Sequence, residues 1–158
     1  MALKKVILIG SGVRETAIAK RLFVDTDGKV ILTVISDKKN PEISCYAKNI
    51  FIIENYSLET FLSNKNIEVF INKQFKEICF AIIGPEKPLL EGYADFFESI
   101  GIKTIGPKMK LAQVETSKLY CREFLRKNGL SHLSPMWYDL KGLSKFKVKE
   151  IFETLNNK

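Results

Sequence analysis

Three short apolar runs, Val6-Ile7-Leu8-Ile9, Val30 to Ile35 and Ile78 to Ile83, each stop at a glycine, a proline or a polar break, and helical spacing fills the intervals between them. A strand that is apolar along its whole length must be covered on both faces, and the chain meets that demand with a parallel sheet and crossover helices. The expected fold is therefore α/β: a Rossmann-like, doubly wound, mostly parallel sheet of about five strands, followed by a C-terminal helical appendage.

Strands are expected at Lys5 to Ile9, Val30 to Ile35, Asn49 to Ile53, Ile78 to Ile83 and Ile102 to Ile105. Between the first two, Val13, Ala17, Ile18 and Leu22 fall at helical spacing, ending near Asp25-Thr26-Asp27-Gly28. Ser57 is positioned to cap a helix through Leu58, Phe61 and Leu62. Ile67, Phe70, Ile71 and Phe75 resume a helical face after Asn64-Lys65-Asn66, as one helix or as a second. Leu90, Ala94 and Phe97 mark a helix up to Gly101. Past Gly106-Pro107 no strand pattern recurs. Leu119, Tyr120, Phe124 and Leu125 form an amphipathic stretch stopped at Asn128-Gly129, and Val148, Ile151, Phe152 and Leu155 form another. These patterns place a Rossmann-like domain over residues 1–107 and a helical segment over 108–158.

At 158 residues, with 46% hydrophobic and 27% charged residues, the chain can bury roughly 70% of its unfolded surface and needs no staple. The net charge of +7 favours anionic partners. The sign of the charge alone does not choose among phosphate metabolites, nucleic acid and acidic membranes, but its lysines are scattered in short groups rather than arrayed with aromatics, which argues against nucleic acid. Cys45, Cys79 and Cys121 are odd in number and lack C-x-x-C spacing, so neither a disulfide framework nor a zinc site is expected. With no apolar run near 20 residues, the expectation is a cytoplasmic protein without a membrane partner.

The loop Gly10-Ser11-Gly12-Val13-Arg14-Glu15 joins the first strand to its helix. Two glycines permit a tight turn and close backbone approach to a ligand, and the free amides of a helix start favour an anion. Gly10, Ser11, Gly12, Arg14 and Glu15 are the expected phosphate-binding residues, with Arg14 able to pair a phosphate in a bidentate fashion. Glu15 stands where a dinucleotide-binding loop needs its third glycine, which argues against a nicotinamide or flavin oxidoreductase. The second candidate is Gly84-Pro85-Glu86-Lys87-Pro88-Leu89, with Glu86 and Pro88 as substrate-binding residues. Strands one and four are expected to flank the switch point of the sheet, so that both loops face one pocket. His132 has no carboxylate or nucleophile beside it in sequence, and no nucleophile-base pair can be assembled.

Three ordered blocks carry a resemblance: Val6 to Glu15; Ile83-Gly84-Pro85-Glu86-Lys87-Pro88-Leu89; and Gly106-Pro107 with Ala112-Gln113-Val114-Glu115-Thr116-Ser117-Lys118, then Phe124-Leu125 and Gly129. Together they resemble the amino-terminal part of the phosphoribosylamine-glycine ligase family (glycinamide ribonucleotide synthetases), ATP-grasp enzymes of de novo purine biosynthesis. The resemblance implies that ATP phosphorylates the carboxylate of glycine and that the amine of phosphoribosylamine attacks the acyl phosphate. It places Gly10, Gly12, Arg14 and Glu15 at the sugar phosphate, Glu86 near the ribosylamine, and Lys118 at the nucleotide phosphates, as a point charge at a helix start. It implies that residues 108–158 are a helical linker and the start of an ATP-grasp domain, with ATP and Mg (or Mn) as cofactors of the full-length enzyme and none held tightly by this chain. Val13 and Thr16 stand where the family carries glycine and histidine, and the loop Ser36 to Pro41 lacks the glycines of the family pattern. The expected role is thus the substrate-binding part of a ligase, inactive alone because the metal-holding carboxylates and glycine-rich clamp of the family would lie beyond Lys158. A stand-alone module that binds a phosphorylated metabolite is the alternative.

Overall fold

The computed structural model describes residues 3–156. Two compact units divide the chain, Met1–Thr116 and Ser117–Lys158.

The first unit is built on a five-stranded sheet in the order β3-β2-β1-β4-β5, every pair parallel: β1 Lys4–Ile9, β2 Val30–Ser36, β3 Ala47–Ile52, β4 Ile78–Ile83 and β5 Thr104–Ile105. From β1 the chain winds outward to β2 and β3, then returns across the sheet to β4 and β5. Alternate residues of the central strands feed two cores. Val6, Leu8, Leu32 and Val34 face one side, under α1 (Val13–Asp25) and α2 (Pro41–Ser44). Ile7, Ile9, Ile35, Ala81 and Ile83 face the other, under α3 (Leu58–Ser63), α4 (Lys65–Gln74), α5 (Glu86–Leu90), α6 (Tyr93–Ser99) and α7 (Met109–Thr116). Phe61, Tyr93 and Phe97 fill the middle of that second core as a tilted and edge-on ring cluster with centroids 5.0–6.3 Å apart. Fully burying a side chain of this size contributes about 1.5–3 kcal/mol.

Several boundaries differ from the sequence expectation for identifiable reasons. Asn64, with extended backbone, separates α3 from α4, and its side chain accepts the amides of Asn66 and Ile67 to start the second helix. Gly92, at φ +87°, separates α5 from α6, so the single helix expected through Leu90, Ala94 and Phe97 is two. β5 keeps only two paired residues, and a short edge strand offers little to a neighbouring chain. Beyond Pro107, α7 still belongs to the first unit: Ala112 is buried in the second core and the Met109 amide donates to the Asp95 carboxylate at 2.8 Å. Val13, one of the apolar positions at helical spacing, is 87% exposed. The stripe that turns inward runs through Glu15, Ala19 and Leu22, at i, i+4 and i+7.

The second unit holds α8 (Lys118–Lys127), a 3-10 turn Ser131–Leu133 and α9 (Lys145–Asn156). Ser117 caps α8 by accepting the Tyr120 amide. No helix among the described residues is long and apolar enough to cross a membrane.

Candidate functional site

Ile9 of β1 pairs with Ile83 of β4, so the loops that begin at Gly10 and Gly84 leave the sheet side by side at its switch point. Glu15 is the piece between them. Its side chain is buried under the loop, with Oε2 accepting the Gly12 amide at 2.7 Å and Oε1 buried without a hydrogen-bond partner among the described residues. A Cβ at Gly10 would meet Glu15 Cγ at 2.6 Å and Pro85 Cδ at 2.9 Å; one at Gly84 would meet Glu15 Cδ at 2.7 Å. Gly10 also sits at φ +129°, a region closed to most L side chains. These glycines are therefore needed by an internal neighbour, the Glu15 side chain, as well as by any ligand.

Beside this junction lies a cleft of about 410 Å³ lined by Ser11, Gly12, Val13, Arg14, Glu15, Asp37, Lys38, Tyr56 and Pro85. The β2 tip supplies Asp37. Its Oδ1 accepts the Ser11 hydroxyl at 2.9 Å and the Tyr56 hydroxyl at 3.0 Å. Tyr56 arrives there through a tight turn, Glu54–Tyr56, in which Asn55 and Tyr56 both adopt positive φ (54° and 53°). Asn40 ties the same loop to α1: its amide donates to the Ser11 carbonyl at 2.9 Å and to Thr16 Oγ1 at 3.1 Å, while its Oδ1 caps α2 through the amides of Glu42 and Ile43. Thr16 in turn donates to the Gly12 carbonyl at 3.0 Å.

The electrostatics are mixed. Arg14 and Lys38 bring positive charge to the cleft, and the first-turn amides of α1 lack intrahelical acceptors and point out of the helix start. Arg14 reaches the Glu86 carboxylate at 3.4 Å on an exposed surface. The Glu86 carboxyl lies below its ordinary value through a hydrogen bond from its own backbone amide, which outweighs the opposing desolvation, and Arg14 adds to the lowering. For Asp37, desolvation opposes ionisation, but the Ser11 and Tyr56 hydrogen bonds, its backbone and Lys38 together hold the carboxyl below the usual range. The Tyr56 hydroxyl is raised, chiefly by desolvation and further by the neighbouring carboxylate. A charged acceptor, two cations and open amides suit a ligand that carries both an anion and hydroxyl donors.

Of the residues expected from sequence, Ser11, Gly12, Arg14 and Glu15 line the cleft, Gly10 packs against Glu15 and Pro85 without lining it, and Glu86 joins through Arg14. Pro88 is buried in α5 beside Leu89, and the proline that lines the cleft is Pro85. Lys118 belongs to the second unit, where it opens α8 behind the Ser117 cap. Sequence reasoning missed Asp37, Asn40 and Tyr56. A signal existed for Asp37, because the residue after an inner parallel strand lies at the carboxyl edge where ligands bind. Nothing in the sequence marks Tyr56, which two consecutive left-handed residues carry into place.

Residues 4–115 match the family described as phosphoribosylglycinamide synthetase, N domain. The phosphoribosylamine-glycine ligase of Methanocaldococcus jannaschii is 34% identical over 146 residues, which is 92% of this chain and 28% of that protein. The enzyme of the same name from Methanococcus maripaludis is 42% identical over 123 residues, covering 78% of this chain and 26% of that one. The chain thus spans under a third of the length of these curated relatives. Among solved structures, N5-carboxyaminoimidazole ribonucleotide synthetase from Thermotoga maritima superposes with a TM-score of 0.52 at 18% identity, over 80% of this chain and 31% of that chain. The biotin carboxylase subunit of pyruvate carboxylase gives 0.50 at 18% identity, over 80% and 28%. At that identity the likeness speaks for the fold alone.

Proposed function

The chain belongs to the phosphoribosylglycinamide synthetase N-domain family, and from that premise we propose that it is the substrate-binding part of an ATP-dependent phosphoribosylamine-glycine ligase, its cleft holding the phosphorylated ribose. One observation carries the reading: the β1 and β4 tips stand side by side, and the open start of α1 adjoins a cleft flanked by Arg14 and Lys38. The amides from Val13 onward and Arg14 hold the phosphate, Ser11 and Gly12 give it room to approach, and Glu86 orients the sugar end through its tie to Arg14. Binding and orientation are this chain's contribution to amide formation, because a fixed sugar phosphate presents its amine at one angle and one distance.

The parent ligase uses a magnesium nucleotide to activate glycine. The described residues include no group of three or more His, Cys, Asp or Glu side chains suited to a metal, and no step through that ion is assigned to them. Lys118, at the first turn of α8, is proposed as a contact for nucleotide phosphate. The three cysteines are free, in keeping with a proposed cytoplasmic setting.

Ribose 5-phosphate titrated into the 158-residue chain and followed by amide NMR should shift Ser11 to Arg14 and Asp37-Lys38. Arg14→Ala should weaken the affinity by about tenfold, the usual scale for a charge-assisted contact. Spectra unchanged at millimolar ligand would refute the assignment.

A further inference from the structure

Asp37 does not follow from an anion cradle. A carboxylate that lines the same cleft as a phosphate site opposes a bare anion, and such a residue is useful only to a ligand that brings its own donors. We infer that Asp37, clamped by Ser11 and Tyr56, is the acceptor for sugar hydroxyl groups, so that the cleft selects a phosphorylated polyol over a simple anion. The inference rests on the reading that this cleft holds a sugar phosphate.

Three observations carry it. The Ser11 and Tyr56 donors both converge on Oδ1, at 2.9 and 3.0 Å, which fixes the plane of the carboxylate and, among the described residues, leaves Oδ2 without a side-chain donor, in a residue that lines the cleft. Tyr56 is buried and, with Asn55, holds positive φ, a conformation that costs an aromatic residue free energy and persists only where surroundings enforce it. Those surroundings are the second core, which holds the ring, and Asp37, which accepts the hydroxyl. Finally, Asp37 directly follows β2, with β2 paired to β1, so its carboxylate and the Gly10-Gly12 loop stand on neighbouring strand tips. A phosphate at the start of α1 and a ribose hydroxyl at an acidic residue on the next strand is a geometry that parallel sheets of this kind support generally. Ser11 and Tyr56 are positioning residues, acting through Asp37.

Asp37→Asn can keep both hydrogen bonds to Oδ1 while it removes the charge and turns the Oδ2 acceptor into an amide donor, so the effects on a sugar phosphate and on a bare anion separate by sign. Calorimetry with the 158-residue chain should find ribose 5-phosphate weakened about tenfold in the variant, while inorganic phosphate binds equally or more tightly because a repulsive charge is gone. Tyr56→Phe, which frees the carboxylate plane, should lower the preference for ribose 5-phosphate over inorganic phosphate by a smaller factor. NMR of the unaltered chain provides a readout independent of any variant: ribose 5-phosphate, and not inorganic phosphate, should shift the Tyr56 resonances. If Asp37→Asn leaves the ratio of the two affinities unchanged, or Tyr56 responds alike to both probes, the inference fails and the phosphate site stands. If the unaltered chain binds neither probe, the reading of the cleft fails and takes the inference with it.

Discussion

Glu15 turns the comparison with dinucleotide-binding loops into a matter of packing. Where those loops carry a third glycine, this one carries a carboxylate that lies under the loop, bonds the Gly12 amide and presses against Gly10 and Gly84. The glycine of the second loop is thereby explained by a residue of the first. Gly84 carries no positive φ, so its requirement is purely steric. Gly84→Ala should destabilise the chain by about 2–3 kcal/mol, the scale of overpacking a closed site. Glu15→Ala should also cost stability, since it unpairs the Gly12 amide and opens a void. The double variant should lose clearly less than the sum, because the methyl at Gly84 would enter the space that Glu15 vacates. Urea denaturation of the three variants measures this, and strict additivity would show that the two residues do not meet.

At the scale of elements, legibility follows burial. β1, β2 and β4 could be read from sequence because helices cover both faces of the central sheet and each strand carries a run of mostly apolar residues. β3, at the edge, alternates half-buried and exposed residues, and its observed span, Ala47–Ile52, begins two residues before the expected Asn49. The four-residue α2 carried a readable start, Asn40 then Pro41, but is too short to show periodicity. The site was half legible for the same reason: glycine loops announce themselves, whereas Asp37 and Tyr56 acquire their meaning from a hydrogen bond between the ends of different elements. Asn40 is the joint of that assembly, capping α2 while holding the Ser11 carbonyl and Thr16. Asn40→Ala should cost about 1–2 kcal/mol in thermal or urea unfolding. It should also speed amide exchange at Ser11 and Gly12 and weaken ribose 5-phosphate binding, although Asn40 does not line the cleft. A loss of stability with unchanged affinity would reduce its role to that of a helix cap.

For the molecule as a whole, the two units differ in how they are held. Every residue in either core lies at or before Ala112. In Ser117–Lys158 no described residue is fully buried, and Leu133, Met136, Phe146 and Phe152 are more than half exposed. Local stability tracks buried apolar contact, so the units should open with very different free energies. In native-state hydrogen exchange the amides of β1, β2 and β4 should be protected to near the global unfolding limit, and those of α8 and α9 should exchange on the order of 100-fold faster or more. Limited proteolysis should cut first between Pro135 and Leu143, where neither helix nor strand shelters the backbone. Ribose 5-phosphate should slow exchange in the first unit around Ser11 to Thr16 while leaving α9 unaffected, since ligand binding protects only the segments whose opening destroys the site. Equal protection of α9 and β1 would mean that apolar burial does not set the stability of these units, and a ligand effect centred on α9 would move the binding site out of the sheet.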